Sequence, residues 1–447
     1  MAAVLLVLLI LAFAGSDCTK IFIGCSTVLA AEPVHALTLP DVQQERDQDR
    51  VVKVSESIYM FMPGRRGGNA FMVTTAEGNV IIDTAVALES EAARAKQLLS
   101  AQNQGATKYI ILTHAHADHI GGIDLWKQPG TQIIAQKEHV EFMNYEARLQ
   151  AFFAVRDSAQ FMYPPPPLQP WAGNYGAKTQ PTILFDEKYE FTLGGVKFEL
   201  MSTPGETPDM LTVWIPQFKT AFIGDNYYPA FPNLSTLRGS KPRWALDYVN
   251  SLDKVMALKA ELVLPGHGGP VAGNAEITKR LTQYRDAIQY VHDEVVKGMN
   301  AGKDVFTLMR EIRLPKNLEL PGSYPKVKWA VRGIYEGYAG WFDTNPASIY
   351  EIPESAIYPD LVKLLGGPGP LIRLALERIK EGKAVEALHL TGVVLAGGND
   401  NRDALEARVK ALEYLKEHCT DGVEYGWLEY AIKVAKEREQ GAASSKR

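Results

Sequence analysis

THAHADH, residues 113–119, places three of the chain's nine histidines and one aspartate within seven positions. The preceding run, KYIILTH, is apolar and rich in β-branched residues, as a buried strand requires, and the glycines at 121 and 122 bend the chain just beyond. His114 and His116 stand two apart, so on an extended segment they project to the same side, while Asp118 and His119 can face the same space from past the bend. Neutral imidazole with carboxylate is the donor mixture that holds a catalytic zinc without saturating it. A solvated loop has no reason to collect this set. One segment cannot close such a site, so further ligands must come from other strand ends.

Outward from this point the chain alternates strands and helices, which predicts α/β layers. NVIIDTA reads as a buried strand delivering Asp83 to its C-terminal end, SEAARAKQLLSAQ has helical spacing, and TQIIAQ, YEFTLGGVKFELMSTPG, LTVWIP, TAFIGD and AELVLPGHGG read as further strands. Three of these end on a donor beside glycine: Glu206 in TPGETPDM, Asp225 in FIGDN and His267 in LPGHGG. Read singly, each is an ordinary turn residue. With His114, His116, Asp118 and His119 they make a set sufficient for two metals. After Ile277 the pattern is helical throughout, with Ile277, Leu281, Tyr284, Ile288, Val291 and Val295 at spacings of four and three. PLIRLALERIKEGK, AVEALHLTGVVLAG and RDALEARVKALEYLKEH continue as antiparallel helical hairpins. The expected organisation is an α/β catalytic region over 45–280 and an all-α region over 281–447.

Size and composition agree. A chain of 447 residues exceeds the roughly 250–300 at which one core stops growing, so two domains are expected. Hydrophobic residues at 46% and charged residues at 22% exclude disorder and a multi-span membrane protein. A net charge of −5 with interspersed signs excludes nucleic acid as a partner. MAAVLLVLLILAFAG and the later VLAAEP read as a signal segment over 1–31 cleaved near Ala30 or Ala31, making the protein exported, although Lys20 is the only early cation. Cys18 and Cys25 fall in that segment, which leaves Cys419 alone and excludes an intramolecular disulfide framework beyond it. PPPP at 164–167 reads as a rigid loop over the site mouth, and His35, His139, His292, His389 and His418 fit no ligand pattern.

THAHADH, the PGE, GD and GH turns and Asp83 together resemble the metallo-β-lactamase superfamily, and within it the alkylsulfatase branch. Glu206 matches that branch's glutamate ligand, with the bridging acid Asp225 nineteen residues on. FPNLSTLRG at 231–239 and YAGWFDTNP at 338–346 are similar to further segments of the branch, the second within its helical dimerisation domain. The resemblance implies an αββα sandwich followed by an all-α dimerisation domain. It implies a homodimer with two Zn²⁺ per chain: His114, His116 and Glu206 on one metal, Asp118, His119 and His267 on the other, and Asp225 bridging. It names Asp118 and Asp225 as catalytic carboxylates and places Asp83 behind a ligand imidazole, fixing its tautomer. Arg238, with Thr236 and Arg332, would bind an anionic ester with an apolar tail, because a planar guanidinium fork suits sulfate oxygens. The implied reaction is hydrolysis of an alkyl sulfate; a phosphodiester, lactone, lactam or other ester is the alternative. This chain departs from the branch in four places: Asp225 replaces glutamate, Trp329 stands near a histidine-bearing polar segment, QFMYPPPPLQP replaces a Tyr-Gly-rich loop, and no sterol-carrier-like segment is recognised. Trp329, Tyr335, Tyr338, Trp341 and Phe342 read as core or interface aromatics rather than a tunnel lining.

Overall fold

In AFMVTT, residues 70–75, neighbouring side chains leave the strand on opposite faces, and both faces are buried. Phe71 and Val73 enter one core, Ala70 and Met72 another. The same division recurs in the next strand, where Val80 and Ile82 join the first core and Ile81 the second. A strand apolar on both faces must be covered on both, and this chain does so with a second sheet on one side and helices on the other.

The computed structural model describes residues 48–64, 67–85, 89–162, 180–321 and 326–444. The expected signal segment 1–31 and the proline run 164–167 lie outside the described residues. The first sheet has the order β1 (Arg50–Lys53), β2 (Ile58–Met62), β3 (Ala70–Thr75), β4 (Gly78–Ile82), β5 (Thr107–Ile111), β6 (Gln132–Gln136), β7 (Ile183–Phe185). It is antiparallel as far as β4 and parallel from β4 to β7. The second sheet runs β13 (Val271–Ala272), β12 (Leu262–Pro265), β11 (Thr220–Gly224), β10 (Leu211–Ile215), β9 (Val196–Ser202), β8 (Lys188–Leu193), with only β11 and β12 parallel. Phe71 of the first sheet meets Phe222 of the second edge-on, their ring centroids 5.1 Å apart, inside the shared core. Helices Glu89–Ser100 and Glu138–Arg148 cover the first sheet, and Ala245–Ala257 and Asn274–Asn300 cover the second. The order is helix, sheet, sheet, helix, the expected αββα sandwich.

Helix Asn274–Asn300 carries the predicted stripe: Ile277, Leu281, Tyr284, Ile288, Val291 and Val295 are all buried. They join a core that begins at Trp214 in the second sheet and extends to Ile334 on helix Val327–Ala339. Residue 281 therefore lies inside a helix whose apolar face serves the sandwich and the helical region together. Beyond it, the helices Gly369–Lys380, Ala384–Val394, Arg402–Glu417 and Gly422–Ser444 bury small cores of their own, rich in alanine, which lets antiparallel helices approach closely. No helix among the described residues is long and apolar enough to cross a membrane.

β4 and β5 are parallel, β11 and β12 are parallel, and β9 runs in the same direction as β11 because each is antiparallel to β10. The chain leaves all five strands carrying a predicted donor: Asp83 after β4, the 113–119 segment after β5, Glu206 after β9, Asp225 after β11 and His267 after β12. Backbone bonds tie these exits together. Leu211 N donates to Thr113 O at 2.9 Å across the sheets, and Asn69 N donates to Gly266 O at 2.7 Å.

Candidate active site

Asp83 is fully buried and adopts φ 55, a left-handed conformation that costs an L residue about 1–2 kcal/mol. Three donors offset that cost. Its Oδ1 accepts from Thr113 N at 2.8 Å, and its Oδ2 accepts from the Thr113 hydroxyl at 2.7 Å and faces His119 Nδ1 at 2.9 Å. Asp83 thus takes the Nδ1 hydrogen bond, so that a neutral His119 would present its Nε2 lone pair inward. Thr113 Oγ1, its hydrogen already given to Asp83, lies 3.1 Å from His114 Nδ1, which fixes the same tautomer there. One carboxylate thus orients two imidazoles. Thr113 was passed over in the sequence because a threonine ahead of a histidine run carries no pattern of its own.

The inward nitrogens form two groups. Donor atoms of His114, His116 and Asp225 all lie within 4.8 Å of one another, and so do those of Asp118, His119 and His267. Asp225 also faces the second group: its Oδ2 is 3.5 Å from His119 Nε2, and its Oδ1 is 2.8 Å from His267 Nδ1. This central position is the one expected of a bridging acid. Gly266, ahead of His267, is required by close approach, because a Cβ there would stand 2.2 Å from Asp225 Oδ1.

The donor chemistry fits cations. His119 Nε2 and Glu206 Oε2 are buried without a hydrogen bond among the described residues, a costly state that a metal would relieve. His267 lies between Asp225 and Asp118, at 2.8 and 3.1 Å. Burial disfavours its charge, yet the carboxylates Asp225 and Asp118 outweigh burial and push its pKa up to about 10. The same balance raises His119, while burial and the His119 charge push His114 down to about 4. Asp225 is held well below the carboxylate range: His267 and His119 beside it overcome its burial.

Glu206 is placed less simply. Its Oε1 accepts from buried Arg243 Nη1 at 2.6 Å and lies 3.9 Å from His116 Nδ1, so it stands beside the first group with one oxygen engaged. Burial raises its pKa even against Arg243. Arg243 also donates to Asn233 O at 2.8 Å. It was missed because an arginine in KPRWAL, beyond the turns that end on glycine, carries no spacing signal.

Arg238 comes to the rim of the site. Its Nη2 is 3.4 Å from His116 Nε2 and its Nη1 is 3.5 Å from Asp157 Oδ1. Thr236 is buried nearby, its hydroxyl 3.4 Å from the Gln160 side chain. Arg332 is placed otherwise than expected: it is half-exposed, pairs with Glu336 at 2.7 Å along its own helix and lies over Phe306. A helix with glutamate at i+4 offers it a nearer partner than a substrate. Trp329 opens the same helix beside Lys326, and that helix reaches the 231–239 segment through Gly333, where a Cβ would stand 2.6 Å from Ser235 Cβ. Tyr335 packs on the core, Tyr338 bonds His292 at 2.9 Å, and Trp341 and Phe342 are exposed. His139, given no role in the sequence, is buried and bonded to Asp209 at 2.8 Å.

Residues 63–267 match the family described as the metallo-beta-lactamase superfamily, and residues 307–441 match that described as alkyl sulfatase dimerisation. Among curated proteins, a linear primary-alkylsulfatase of Pseudomonas sp. (strain ATCC 19151) is 28% identical over 368 residues, covering 77% of this chain and 69% of that protein. An alkyl/aryl-sulfatase of Saccharomyces cerevisiae is 26% identical over 395 residues, covering 81% of this chain and 60% of that protein. The chain thus spans 60–69% of the length of these two relatives. The solved structure of a stereoselective inverting sec-alkylsulfatase from Pseudomonas sp. superposes with a TM-score of 0.76 at 23% identity, over 87% of this chain and 66% of that one, a likeness of fold.

Proposed function

From a chain that belongs to the metallo-beta-lactamase superfamily and carries an alkyl sulfatase dimerisation region, we propose a two-zinc hydrolase that cleaves alkyl sulfate esters to alcohol and sulfate. The observation that carries the substrate class is Arg238, a guanidinium within 3.4 Å of His116 at the rim of the paired donor groups. The alkylsulfatases among the relatives support the same reading.

His114, His116 and Glu206 would hold one zinc, Asp118, His119 and His267 the other, with Asp225 between them. A metal pair, when bound, would lower the pKa of a water to about 7 and supply positive charge near the ester oxygens. The chain's own residues do the rest. Asp83 and Thr113 keep the imidazoles of His119 and His114 in the tautomers that face inward. Arg243 keeps Glu206 aimed at the first group. Arg238 binds the anionic end of the ester and orients it against the paired groups; its fork can hold two sulfate oxygens where an ammonium would hold one.

The helical region would pair two chains. Trp341 (77% exposed), Tyr350 (68%), Ile352 (68%) and Leu364 (82%) put large apolar side chains in water within the segment matched to dimerisation, as a face that pairs with a second copy would. Export through residues 1–31 belongs to the same proposal, and N-terminal sequencing of the secreted protein would place the cleavage.

Sulfate release from alkyl sulfates of graded chain length, run beside a phosphodiester, a lactone and a β-lactam, tests the function. Preference for the sulfate esters is expected. Turnover of the others with none of the alkyl sulfates would replace this reading with a two-metal hydrolase of another ester or amide.

A further inference from the structure

Arg238 lies in a turn closed by Gly239 N donating to Thr236 O at 3.1 Å, and it belongs to neither sheet. Helix Gln150–Phe161 grips this turn from one side. Arg156 donates Nε to Arg238 O at 2.5 Å and Nη2 to Leu237 O at 2.7 Å. Four residues on, Gln160 Oε1 accepts from Arg238 N at 2.9 Å, and between them Asp157 faces the Arg238 guanidinium at 3.5 Å. The turn's carbonyls, its amide and its charged head are all held by one helix.

That helix is in turn held by the C-terminal helix Gly422–Ser444. At Gly426 a Cβ would stand 2.3 Å from Gln160 O and 2.8 Å from Ala159 O, so the two backbones approach more closely than any side chain allows. The Arg156 guanidinium sits 5.4 Å from the Trp427 ring centroid and 4.9 Å from that of Phe152, within cation–π range of both. The same cation therefore touches the dimerisation region and the turn that bears Arg238. The paired metal donors all lie on other segments.

We propose that the C-terminal helix is a positioning element for substrate binding. Gly426 and Trp427 seat helix Gln150–Phe161, and Arg156 and Gln160 of that helix set the turn from which Arg238 reaches the ester's anionic end. The inference rests on the reading of Arg238 as the anion contact. It makes ester recognition, and not metal binding, depend on the helical region. A displaced guanidinium keeps its charge but loses the geometry of its fork, and misplacement by about 1 Å can cost on the order of a hundredfold.

A double-mutant cycle on the full chain tests it, with Gln160→Leu, Arg238→Ala, both together, and Gly426→Val. The readouts are zinc content, mass by light scattering, kcat and KM for octyl sulfate, and calorimetric affinity for inorganic sulfate. Gln160→Leu and Gly426→Val are expected to keep wild-type zinc and mass while raising KM and weakening sulfate binding about tenfold, and Gln160→Leu should add nothing once Arg238 is alanine. If Gly426→Val fails to fold, Trp427→Leu, which removes the ring facing Arg156, takes its place with the same expected readouts, and wild-type KM and sulfate affinity in that variant would overturn the role of the C-terminal helix. Unchanged KM in Gln160→Leu beside an impaired Arg238→Ala, or losses that multiply in the double variant, would overturn the coupling and leave the function standing. An unimpaired Arg238→Ala, or a wild-type protein that neither cleaves octyl sulfate nor binds sulfate, would overturn both.

Discussion

At the scale of single residues, site chemistry depends on which nitrogen or oxygen each side chain turns inward. Asp83 decides this for two histidines at once. Asp83→Ala should therefore weaken zinc binding about 10- to 100-fold, the usual cost of removing such a partner, and competition with a fluorescent chelator would measure it. Arg238 is proposed to act on the substrate instead. Arg238→Ala should leave both metals bound and lower kcat/KM by about ten- to several-hundred-fold, as expected for losing a charge-assisted hydrogen bond of ~1.5–3 kcal/mol. Arg238→Lys should recover part of this, because it restores the charge without the fork. The two groups of donors that the structure brings together, His114, His116 and Asp225 with Asp118, His119 and His267, were legible in the sequence, since strand ends beside glycine and the THAHADH spacing are local patterns. Thr113, Arg243, Asp157 and Gln160 were not: each acts through a partner distant in sequence, and nothing local marks it. Arg332 instead has its nearest partner, Glu336, one helical turn away.

At the scale of elements, the buried His139–Asp209 pair joins helix Glu138–Arg148 on the first sheet to the segment that carries Glu206 out of the second. Burial alone would raise Asp209, but the hydrogen bond and charge of His139 overcome it and leave its pKa lowered. A carboxyl whose pKa is lower folded than unfolded stabilises the protein fully above its unfolded value of about 3.9, and that contribution is lost as pH falls through the folded value. Asp209→Asn should thus cost about 1–3 kcal/mol near pH 6, with the deficit against wild type shrinking in acid, as read from urea unfolding of chelated protein between pH 3 and 6. An undiminished deficit at pH 3 would deny the pair this role. The strands were read from the sequence because alternation and apolar runs are local. Helices Glu138–Arg148 and Gln150–Phe161 were not anticipated, although one carries His139 and the other organises the Arg238 turn. Each buries only part of its surface against partners from distant segments, so its apolar pattern is broken.

At the scale of the whole molecule, the sandwich and helical region share a core through Asn274–Asn300, and among the described residues nothing covers the large apolar side chains exposed between Trp341 and Leu364. A homodimer through this face should appear as twice the chain mass in light scattering at micromolar concentration. Tyr350→Glu with Leu364→Glu should shift the protein towards monomer, because two buried like charges on each copy oppose association. Dimeric mass unaffected by both substitutions would move the interface elsewhere. The succession of an α/β region and an all-helical region was legible from the change in periodicity. The shared core was not, because a helix stripe shows that a face is buried without showing against what.

One edge of the sandwich is proposed to hold two metals with Asp225 between them, and hydrolysis to depend on both. Metal content per chain, measured with octyl sulfate turnover on the same samples of wild type, Asp225→Glu and Asp225→Ala, tests it most directly. Two zinc equivalents in wild type, much of both metal and activity kept by Asp225→Glu, and both lost together in Asp225→Ala are the predicted result. A fully active preparation without metal, or an Asp225→Ala protein with both zinc ions and wild-type turnover, would contradict it.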